Sequence, residues 1–495
     1  MDFRYTTPSA KAFRVLILLQ LVVFNLFSVN AQTDISNTTV TVGSIKLTGN
    51  EKTKASIITR ELLIATGDKL SPDEFSKRVN QSRLNLLNTS LFNFVTIDTV
   101  RNEIPGSNNT IIVEISLLER WYLWPVPIVQ ITDRNINAWL QTRDFTRINY
   151  GIDLKWYNFS GRLDELDAIV QFGKNHHLSL AYQNPYVDKK KHLGIGFEAG
   201  YKNNREAGYL TQDDELLFAF ASEGLSTETY FSVNSTYRNN IFTTHQLVAG
   251  FRAFTFSDSL MLLNPDYSYA NVDKPAFLYL YYKLKIDHRD IKYYPLRGWY
   301  ADLELNKTGL GFGFEKPVDI AWAKTTTRFY GQLSKHWYMG ISFIGKVSSG
   351  AWQPYFQIQG LGYGRDYVRG YEYNVIDGKH FGIVRSTIKF ALVPEQTHTI
   401  GFIPTPKFGL IHYAVYLTAF ADAGYVWQPQ WIGQFNNKLP RTLLAGAGLG
   451  VDLVTYYDKV VRIEYAINKS GKSGIFIRSD YGFGYVSLRP KNCCI

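Results

Sequence analysis

Apolar and polar residues alternate strictly over most of the chain after residue 119. In the clearest run, Leu278–Ile286, every second residue is leucine, tyrosine or isoleucine, while Tyr279, Tyr281, Lys283 and Lys285 face the other way. A period of two predicts a β-strand with one apolar face, and a helix does not produce it. The same pattern recurs in Leu123–Ile131, Ile148–Tyr157, Leu163–Phe172, His177–Tyr186, Leu193–Tyr201, Thr227–Tyr237, Gln246–Phe256, Trp299–Leu305, Trp322–Gln332, Trp337–Lys346, Phe381–Leu392, Val415–Trp427, Leu443–Leu453, Val461–Ile467 and Ile475–Phe483.

One further run, Glu215–Phe220, is ambiguous as a strand. Single-chain bacterial barrels have an even number of strands, and lipid cannot satisfy an open sheet edge. We therefore discount this run and predict a mainly β protein with a closed, 16-stranded transmembrane β-barrel over residues 119–483. Phe483 would be the terminal aromatic residue of the barrel, and residues 484–495 would form a tail. Aromatic residues at the barrel entry would lie at the membrane interface: Trp121, Tyr122 and Trp124.

Before residue 119 the pattern is that of a small α+β domain, residues 40–118. The segment Ser71-Pro-Asp-Glu74 carries a helix-start signature, with a capping serine, proline at the first helical position and glutamate three residues after the cap. The predicted order is strand, helix, helix, strand, strand: Val40–Thr48, Ala55–Thr66 closed by Gly67, a helix after Ser71, Phe92–Val100 and Thr110–Leu117.

The first 31 residues have the features of a secretory signal peptide. Arg4, Lys11 and Arg14 precede an apolar run, Val15–Phe27, and a small-residue cleavage site ends at Ala31. The alternative, a retained membrane helix, is disfavoured because the run is shorter than the ~20 residues needed to span a bilayer.

Composition favours a membrane barrel over a soluble enzyme. The chain has 33 Tyr, 32 Phe, 10 Trp and 38 Gly, with only 19% charged residues. The net charge of +10 fits attraction to anionic lipid headgroups, and no basic motif indicates nucleic-acid binding. Cys493 and Cys494 lie at the chain end, which excludes a disulfide framework. They fit a disordered tail, with a strained disulfide or a metal site as alternatives.

No constellation of residues indicates catalysis. The run Gly446–Gly450 could be taken for a nucleotide loop, but it lies within an alternating strand and opens no helix. His176 and His177 are adjacent and would point to opposite faces of a strand, which does not suit metal binding. We therefore predict no enzymatic activity, no metal and no cofactor.

A long loop, residues 351–379, interrupts the alternating strands. Its stretch Leu361–Tyr371 is rich in glycine, tyrosine and arginine, a density of aromatic residues that predicts packing inside the barrel. The tetrad Val368-Arg369-Gly370-Tyr371 resembles the conserved loop motif of the POTRA-plus-barrel outer-membrane protein superfamily, which includes the BamA and TamA insertases and the two-partner secretion translocators. The resemblance implies that this loop folds into the barrel lumen.

A second motif lies on the predicted strand after the loop. Phe420-Ala-Asp422-Ala-Gly424 resembles the F-x-D-x-G strand motif of the same superfamily, and the alternation places Asp422 on the face away from lipid. The resemblance pairs Arg369 with Asp422. Lys389 stands where BamA-like relatives carry a glutamate, so we expect Arg369 to have one acidic partner with a like charge nearby. Tyr294-Pro-Leu-Arg-Gly298 resembles the P-x-x-G turn of the family.

The element order of residues 40–118 resembles one POTRA domain, which implies a periplasmic location. In that fold the strand Phe92–Val100 lies at the sheet edge, so it could pair with a partner strand through residues Phe94, Val95, Thr96 and Ile97. An edge strand that binds nothing is the equal alternative.

The resemblance implies a noncatalytic protein of the bacterial outer membrane that mediates or supports insertion, assembly or translocation of proteins. The expected partners are outer-membrane lipids, client outer-membrane or secreted proteins, and lipoproteins or other subunits of an outer-membrane complex. Two alternatives remain, a structural or accessory barrel subunit and a two-partner secretion pore. A passive porin is disfavoured because a loop would plug its lumen.

Overall fold

The N-terminal part of the chain folds as a small α+β domain. The structure, a computed structural model, describes residues 39–101, 110–131, 148–183, 186–310, 318–350, 352–427, 435–455 and 457–480. Helices α1 (Ala55–Arg60) and α2 (Pro72–Leu87) share an apolar core with a four-stranded sheet. Its order is β2-β1-β4-β3, built from β1 (Val40–Thr48), β2 (Lys69–Leu70), β3 (Phe92–Arg101) and β4 (Thr110–Glu119).

The first helix is shorter than the sequence predicts. It ends at Arg60, whereas Ala55–Thr66 was expected. The amide of Leu63 donates to Ser82 Oγ at 2.8 Å and that of Ala65 to the Asp68 carboxylate at 2.9 Å, so these amides do not continue the helical ladder. The second helix starts as predicted, because Ser71 Oγ accepts from the amide of Glu74 at 3.3 Å.

The rest of the described chain is dominated by one antiparallel sheet of sixteen strands, which confirms the predicted strand number. The ambiguous run is β11, which pairs only with β10 in a separate hairpin, so discounting it was correct. The elements are β5 (Leu123–Ile131), β6 (Ile148–Tyr157), β7 (Glu165–Gly173), β8 (His176–Gln183), β9 (Leu193–Asn204), β10 (Glu206–Gln212), β11 (Glu215–Phe220), β12 (Ser226–Tyr237), β13 (Thr243–Phe256), α3 (Asp258–Leu263), β14 (Ala276–Asp287), β15 (Gly298–Thr308), β16 (Ile320–Gln332), β17 (Trp337–Ser348), β18 (His380–Thr399), α4 (Pro406–Gly409), β19 (Leu410–Trp427), β20 (Leu444–Thr455), β21 (Lys459–Asn468) and β22 (Ser473–Asp480).

The sheet curls so that its first strand, β5, comes close to the turn between β20 and β21 near the other end of the sheet. The ring of Trp124 on β5 lies edge-on to Tyr457 in the turn between β20 and β21, with centroids 5.4 Å apart. Along the strands, exposed apolar residues such as Leu180 and Phe197 alternate with covered ones, as expected when one face meets lipid. Among the described residues no hydrogen-bonded ladder joins β5 to β22, so the seam of the barrel lies between them.

The N-terminal domain lies across one end of the barrel, here called the lower end. Arg120, at the end of β4, binds Asp458 through two hydrogen bonds of 2.7 and 2.9 Å. Asn88, which caps α2, donates to Asp290 O at 2.8 Å and accepts from the amide of Lys292 at 2.9 Å. These partners sit on turns far apart around the barrel, so the domain covers the mouth rather than one rim.

A buried ion pair adds to this docking. Glu61, after α1, accepts from both terminal nitrogens of Arg238 in the β12–β13 turn at 2.7 and 2.8 Å. The predicted membrane-interface position of Tyr122 is wrong, because its ring is buried in the core of the N-terminal domain and its hydroxyl donates to Leu91 O at 3.0 Å. Trp121 remains 46% exposed.

The predicted signal peptide 1–31, the terminal aromatic Phe483, the tail 484–495 and both cysteines lie outside the described residues. No helix in the described part of the chain is long and apolar enough to cross a membrane.

Candidate functional site: the lumenal loop and its wall

The loop between β17 and β18, described over residues 352–379, is packed against the inside of the barrel. Leu361, Val368, Tyr371 and Ile376 of the loop form a buried apolar cluster with residues of β17, β18, β19 and β20, among them Val426. This cluster fixes the loop to one side of the lumen. Polar contacts tie it to the neighbouring wall, because Asp366 pairs with Lys324 of β16 at 2.5 Å and Gln359 O accepts from Lys346 of β17 at 3.0 Å.

Arg369, at the tip of the loop, binds Asp422 on β19 in a two-pronged arrangement. Its Nε lies 2.8 Å from Oδ2 and its Nη2 lies 2.6 Å from Oδ1, and its own amide also donates to Oδ2 at 3.3 Å. The guanidinium carbon lies 3.8 Å from the ring centroid of Phe420, two residues along the same strand face. Both side chains of the pair are buried. Phe420 and Asp422 thus provide a ring and a carboxylate for one cation.

The expectation that Arg369 has a single acidic partner is wrong. Its Nη1 donates to Glu464 on β21 at 3.3 Å, and its Nη2 donates to Ser386 O and Thr387 Oγ1 on β18, both at 3.1 Å. Three strands therefore hold one guanidinium, here called the Arg369 lock. The second carboxylate comes from β21 rather than β18.

Lys389 does not face Arg369. Its ammonium donates to Pro295 O at 3.1 Å and lies 3.8 Å from the ring centroid of Tyr294, both in the β14–β15 turn. The hydroxyl of Tyr294 in turn donates to Asp452 on β20 at 2.9 Å. The P-x-x-G turn therefore folds inward into the lower lumen and contacts the wall formed by β18 and β20. The like charge near the lock is Arg385, whose Nε lies 4.0 Å from Asp422.

The last described strand also holds the loop tip. Arg478 on β22 pairs with Glu464 at 2.5 Å and with Glu372 of the loop, and Glu372 accepts from the amide of Gly370 at 2.9 Å. Glu464 thus lies between two arginines, one from the loop and one from the strand beside the seam.

Glycines on the wall leave room for the loop. A side chain at Gly446 on β20 would overlap the carbonyl oxygen of Arg369, and one at Gly424, the motif glycine on β19, would come within 2.5 Å of Val368. Gly448 faces the ring of Phe420 in the same way. In the glycine run that could be taken for a nucleotide loop, Gly446 therefore leaves space for the loop tip and Gly448 leaves space for the ring of Phe420. The sequence showed that this run belongs to an alternating strand, but it did not show that the loop tip packs against the run.

The upper end of the lumen is covered by the β10–β11 hairpin. Asp214 at its turn accepts from the amides of Lys438 and Leu439 at 3.0 to 3.1 Å, and its carbonyl accepts from the amide of Val375 at 2.9 Å. The hairpin therefore joins the lumenal loop to the segment before β20. Sequence reasoning did not find this contact.

The edge strand β3 is only partly open. Asn93 donates to Lys407 O at 2.9 Å, Phe94 lies edge-on to His412 with centroids 6.2 Å apart, and Val95 is buried in the core. From Thr96 to Val100 the strand pairs only with β4 among the described residues, and most of its side chains are exposed. Of the four predicted edge residues, the structure therefore leaves the side chain of Thr96 exposed, buries Val95 and leaves Phe94 and Ile97 half-buried.

The arrangement of these side chains suits retention of the loop in the lumen rather than a chemical reaction. Within the described ranges, no group of three or more His, Cys, Asp or Glu side chains could hold a metal ion. The buried charges of the lock occur as opposite pairs, and each is fixed by further hydrogen bonds. Such a network can retain a loop inside the lumen and release it when a partner is removed.

Two protein families match the chain. Residues 40–120 match the POTRA family, described as surface antigen variable number repeat, and residues 158–474 match the Omp85 superfamily domain. No curated protein sequence matches. Similar solved structures include BamA from Haemophilus ducreyi lacking POTRA domains 1–3, with a TM-score of 0.48 and 15% identity over 89% of this chain and 83% of that one. CdiB from Acinetobacter baumannii has a TM-score of 0.47 and 13% identity over 88% of this chain and 73% of that one. CdiB from Escherichia coli has a TM-score of 0.47 and 10% identity over 97% of this chain and 99% of that one.

Proposed function

Because this chain belongs to the Omp85 superfamily of non-enzymatic membrane insertases and translocators, we propose that it mediates or supports the insertion of client proteins into the outer membrane. Its barrel lies in the outer membrane and its POTRA domain in the periplasm, so the lower end of the barrel is the periplasmic end. Clients that have crossed the periplasm in an unfolded state would meet the POTRA domain first.

The observation that carries this proposal is the open edge of β3 from Thr96 to Val100. An edge strand presents unpaired N–H and C=O groups that an extended client can pair with, independently of its sequence. The covered half of β3 abuts Lys407 and His412 of the barrel, so a strand added to the open half would lie beside the barrel rim. That position suits the transfer of a client strand from the periplasm to the membrane.

The filled lumen favours insertion over passage of a client through the pore. Loop residues pair with β16, β19 and β21, and the β10–β11 hairpin closes the upper end. The loop and the hairpin lie in the path that solutes would take through a porin, which argues against a passive porin. A secretion pore would have to break them for each client.

The experiment is photo-crosslinking in living cells from positions Thr96 and Asp98 on β3, with Lys77 on helix α2, whose backbone offers no strand edge, as the exposed control. Proline variants at Thr96 and at Ile97 are compared in parallel, because neighbouring amides point to opposite edges of a strand. The proline that removes an outward amide leaves the four-stranded sheet paired and should abolish client crosslinks from the crosslinker at Asp98. Thr96→Val keeps the amide and should retain them.

Crosslinks to many outer-membrane proteins from Thr96, and none from Lys77, would support insertion. A single dominant secreted protein would support the secretion pore instead. If client crosslinks persist in both proline variants while the barrel and sheet remain folded, the edge of β3 does not recruit clients and the proposal fails on its main observation.

A further inference from the structure

A cluster of aromatic residues lies near the periplasmic ends of β6, β8 and β9. Trp156 and Phe159 have ring centroids 4.8 Å apart, Phe159 and Tyr182 are 6.0 Å apart, and Tyr182 and Phe197 are 6.5 Å apart. Trp156, Tyr182 and Phe197 lie on outward faces of their strands. The hydroxyl of Tyr182 donates to Asp164 at 2.7 Å. Aromatic belts of this kind lie at the level of the lipid headgroups.

Four cationic side chains lie on the segments that leave this belt toward the periplasm. Arg162 is in the β6–β7 turn, Lys189 and Lys190 are in the β8–β9 turn, and Lys54 belongs to the POTRA domain. All four are exposed, and no ion pair with a described residue involves them. The amide of Lys54 donates to Gly161 O at 3.0 Å, which fixes the POTRA lysine beside the β6–β7 turn.

Three carboxylates close to these cations in the chain bind other groups. Glu51, three residues before Lys54, pairs with Lys407 at 3.3 Å. Asp188 accepts from the amides of His192 and Leu193 at 3.0 and 2.7 Å, which closes its own turn. Asp164 is fully buried and binds Tyr182 and the amide of Ser160. Asp164 and Asp188 keep their negative charge, but the four cations outnumber these two carboxylates, and Glu51 is paired with Lys407, so the patch presents net positive charge.

We infer that Lys54, Arg162, Lys189 and Lys190 form a binding surface for the phosphate groups of anionic glycerophospholipids in the periplasmic leaflet. Val187, 58% exposed beside the lysines, and Phe159 would contact the upper acyl chains. Basic residues at the edge of a membrane protein attract anionic headgroups in this way. Because the patch draws on both the POTRA domain and two barrel turns, a bound lipid bridges the two and favours the docked domain. The inference concerns the lipid environment and does not depend on the identity of the client.

The test uses the purified full-length protein in vesicles of phosphatidylcholine that contain spin-labelled phosphatidylglycerol or spin-labelled phosphatidylcholine. The wild type should immobilise the phosphatidylglycerol probe preferentially. The variant K189Q/K190Q should lower that preference about fivefold per lost charge at low salt. The matched control K469Q/K472Q removes two exposed lysines from the turn between β21 and β22 at the opposite end, and should retain the preference. Retention of the folded barrel is checked in each sample by its heat-modifiable mobility in gels.

An equal loss in both variants would show a general effect of net charge and would overturn the site. So would an unchanged preference in folded K189Q/K190Q. A competition arm separates a lipid from a free phosphate, since glycerol 3-phosphate lacks the acyl chains that contact Val187 and Phe159. Full displacement of the lipid probe by glycerol 3-phosphate would replace the lipid surface with a soluble phosphate site.

Discussion

Arg369 holds two carboxylates, because its guanidinium donates to Asp422 on β19 and to Glu464 on β21. Removal of one carboxylate leaves the other in place. This relationship sets how the lumenal loop responds to substitution.

We expect Asp422→Ala to destabilise the packed, lumenal position of the loop by about 3 kcal/mol. This value is the lower end of the range for breaking a buried ion pair, because Glu464 and Thr387 still accept from Arg369. Combining Asp422→Ala with Glu464→Ala should free the loop. The measurement is chymotrypsin cleavage near Tyr371 in intact membranes, with Glu464→Gln alone as the milder control. Full protection in the double variant would show that the apolar cluster alone retains the loop.

A charge exchange gives a sharper result. Arg369→Asp combined with Asp422→Arg places a carboxylate at the loop tip beside Glu464, so the exchange should restore little protection. Adding Glu464→Gln removes the repulsion and should restore part of it. Rescue by the exchange without the change at Glu464 would show that Glu464 contributes little to the lock.

Gly446→Ala should displace the loop tip without touching any charge. The added methyl group would overlap the carbonyl oxygen of Arg369, and overpacking of this kind costs about 1–3 kcal/mol. Increased chymotrypsin cleavage near Tyr371 is the expected readout. Ala447→Val adds bulk on the outward, exposed face of the same strand and should leave cleavage unchanged.

Lys389→Met should loosen the β14–β15 turn. The variant keeps the apolar stem but removes the donor to Pro295 O, and a hydrogen bond from a charged group contributes about 2 kcal/mol. Hydrogen exchange of residues 288–297 should speed up about tenfold or more. Lys389→Arg keeps a donor and should change the exchange less. Equal exchange in the wild type and Lys389→Met would show that Asn88 and Asp452 hold the turn without Lys389.

Docking of the POTRA domain should weaken in acid. Burial alone would raise the pKa of Glu61, but the guanidinium groups of Arg238 and Arg60 hold that pKa below its usual 4.5. The stabilisation from Glu61 is therefore present above pH 4.5 and is lost as the pH falls through the lower pKa of the docked state. Fluorescence energy transfer between labels at Lys46→Cys and Lys335→Cys, with both native cysteines replaced, would measure the separation. Glu61→Gln should flatten the pH dependence and weaken docking, and an unaltered acid transition in that variant would assign it to another group.

Much of the fold could be predicted because alternation is a local property. Each barrel strand shows its two faces in its own sequence, and Ser71 and Glu74 reveal a helix start within four residues. The first helix was predicted too long because its end depends on Ser82, which is distant in sequence from Leu63.

The contacts of the candidate site could be predicted only for residues that belong to a recognised sequence motif. Arg369 and Asp422 were paired by resemblance, whereas alternation places Glu464 inside the lumen without saying which inward side chain it meets. Lys389 was assigned to the wrong neighbour for the same reason, since the inward fold of the turn that contains Pro295 depends on packing across the barrel. Pairs such as Arg120 with Asp458 leave no local signal at all.

The docked POTRA domain depends on residues that lie far along the chain. Arg120 and Asp458 are separated by 338 positions, and Glu61 and Arg238 by 177. Contacts of such high sequence separation form late in folding, because the intervening chain must first be ordered. The domain precedes the barrel in the chain, and Arg120 and Glu61 gain their barrel partners Asp458 and Arg238 only when the β20–β21 and β12–β13 turns form. Docking of the POTRA domain therefore requires that barrel assembly has already reached its last strands.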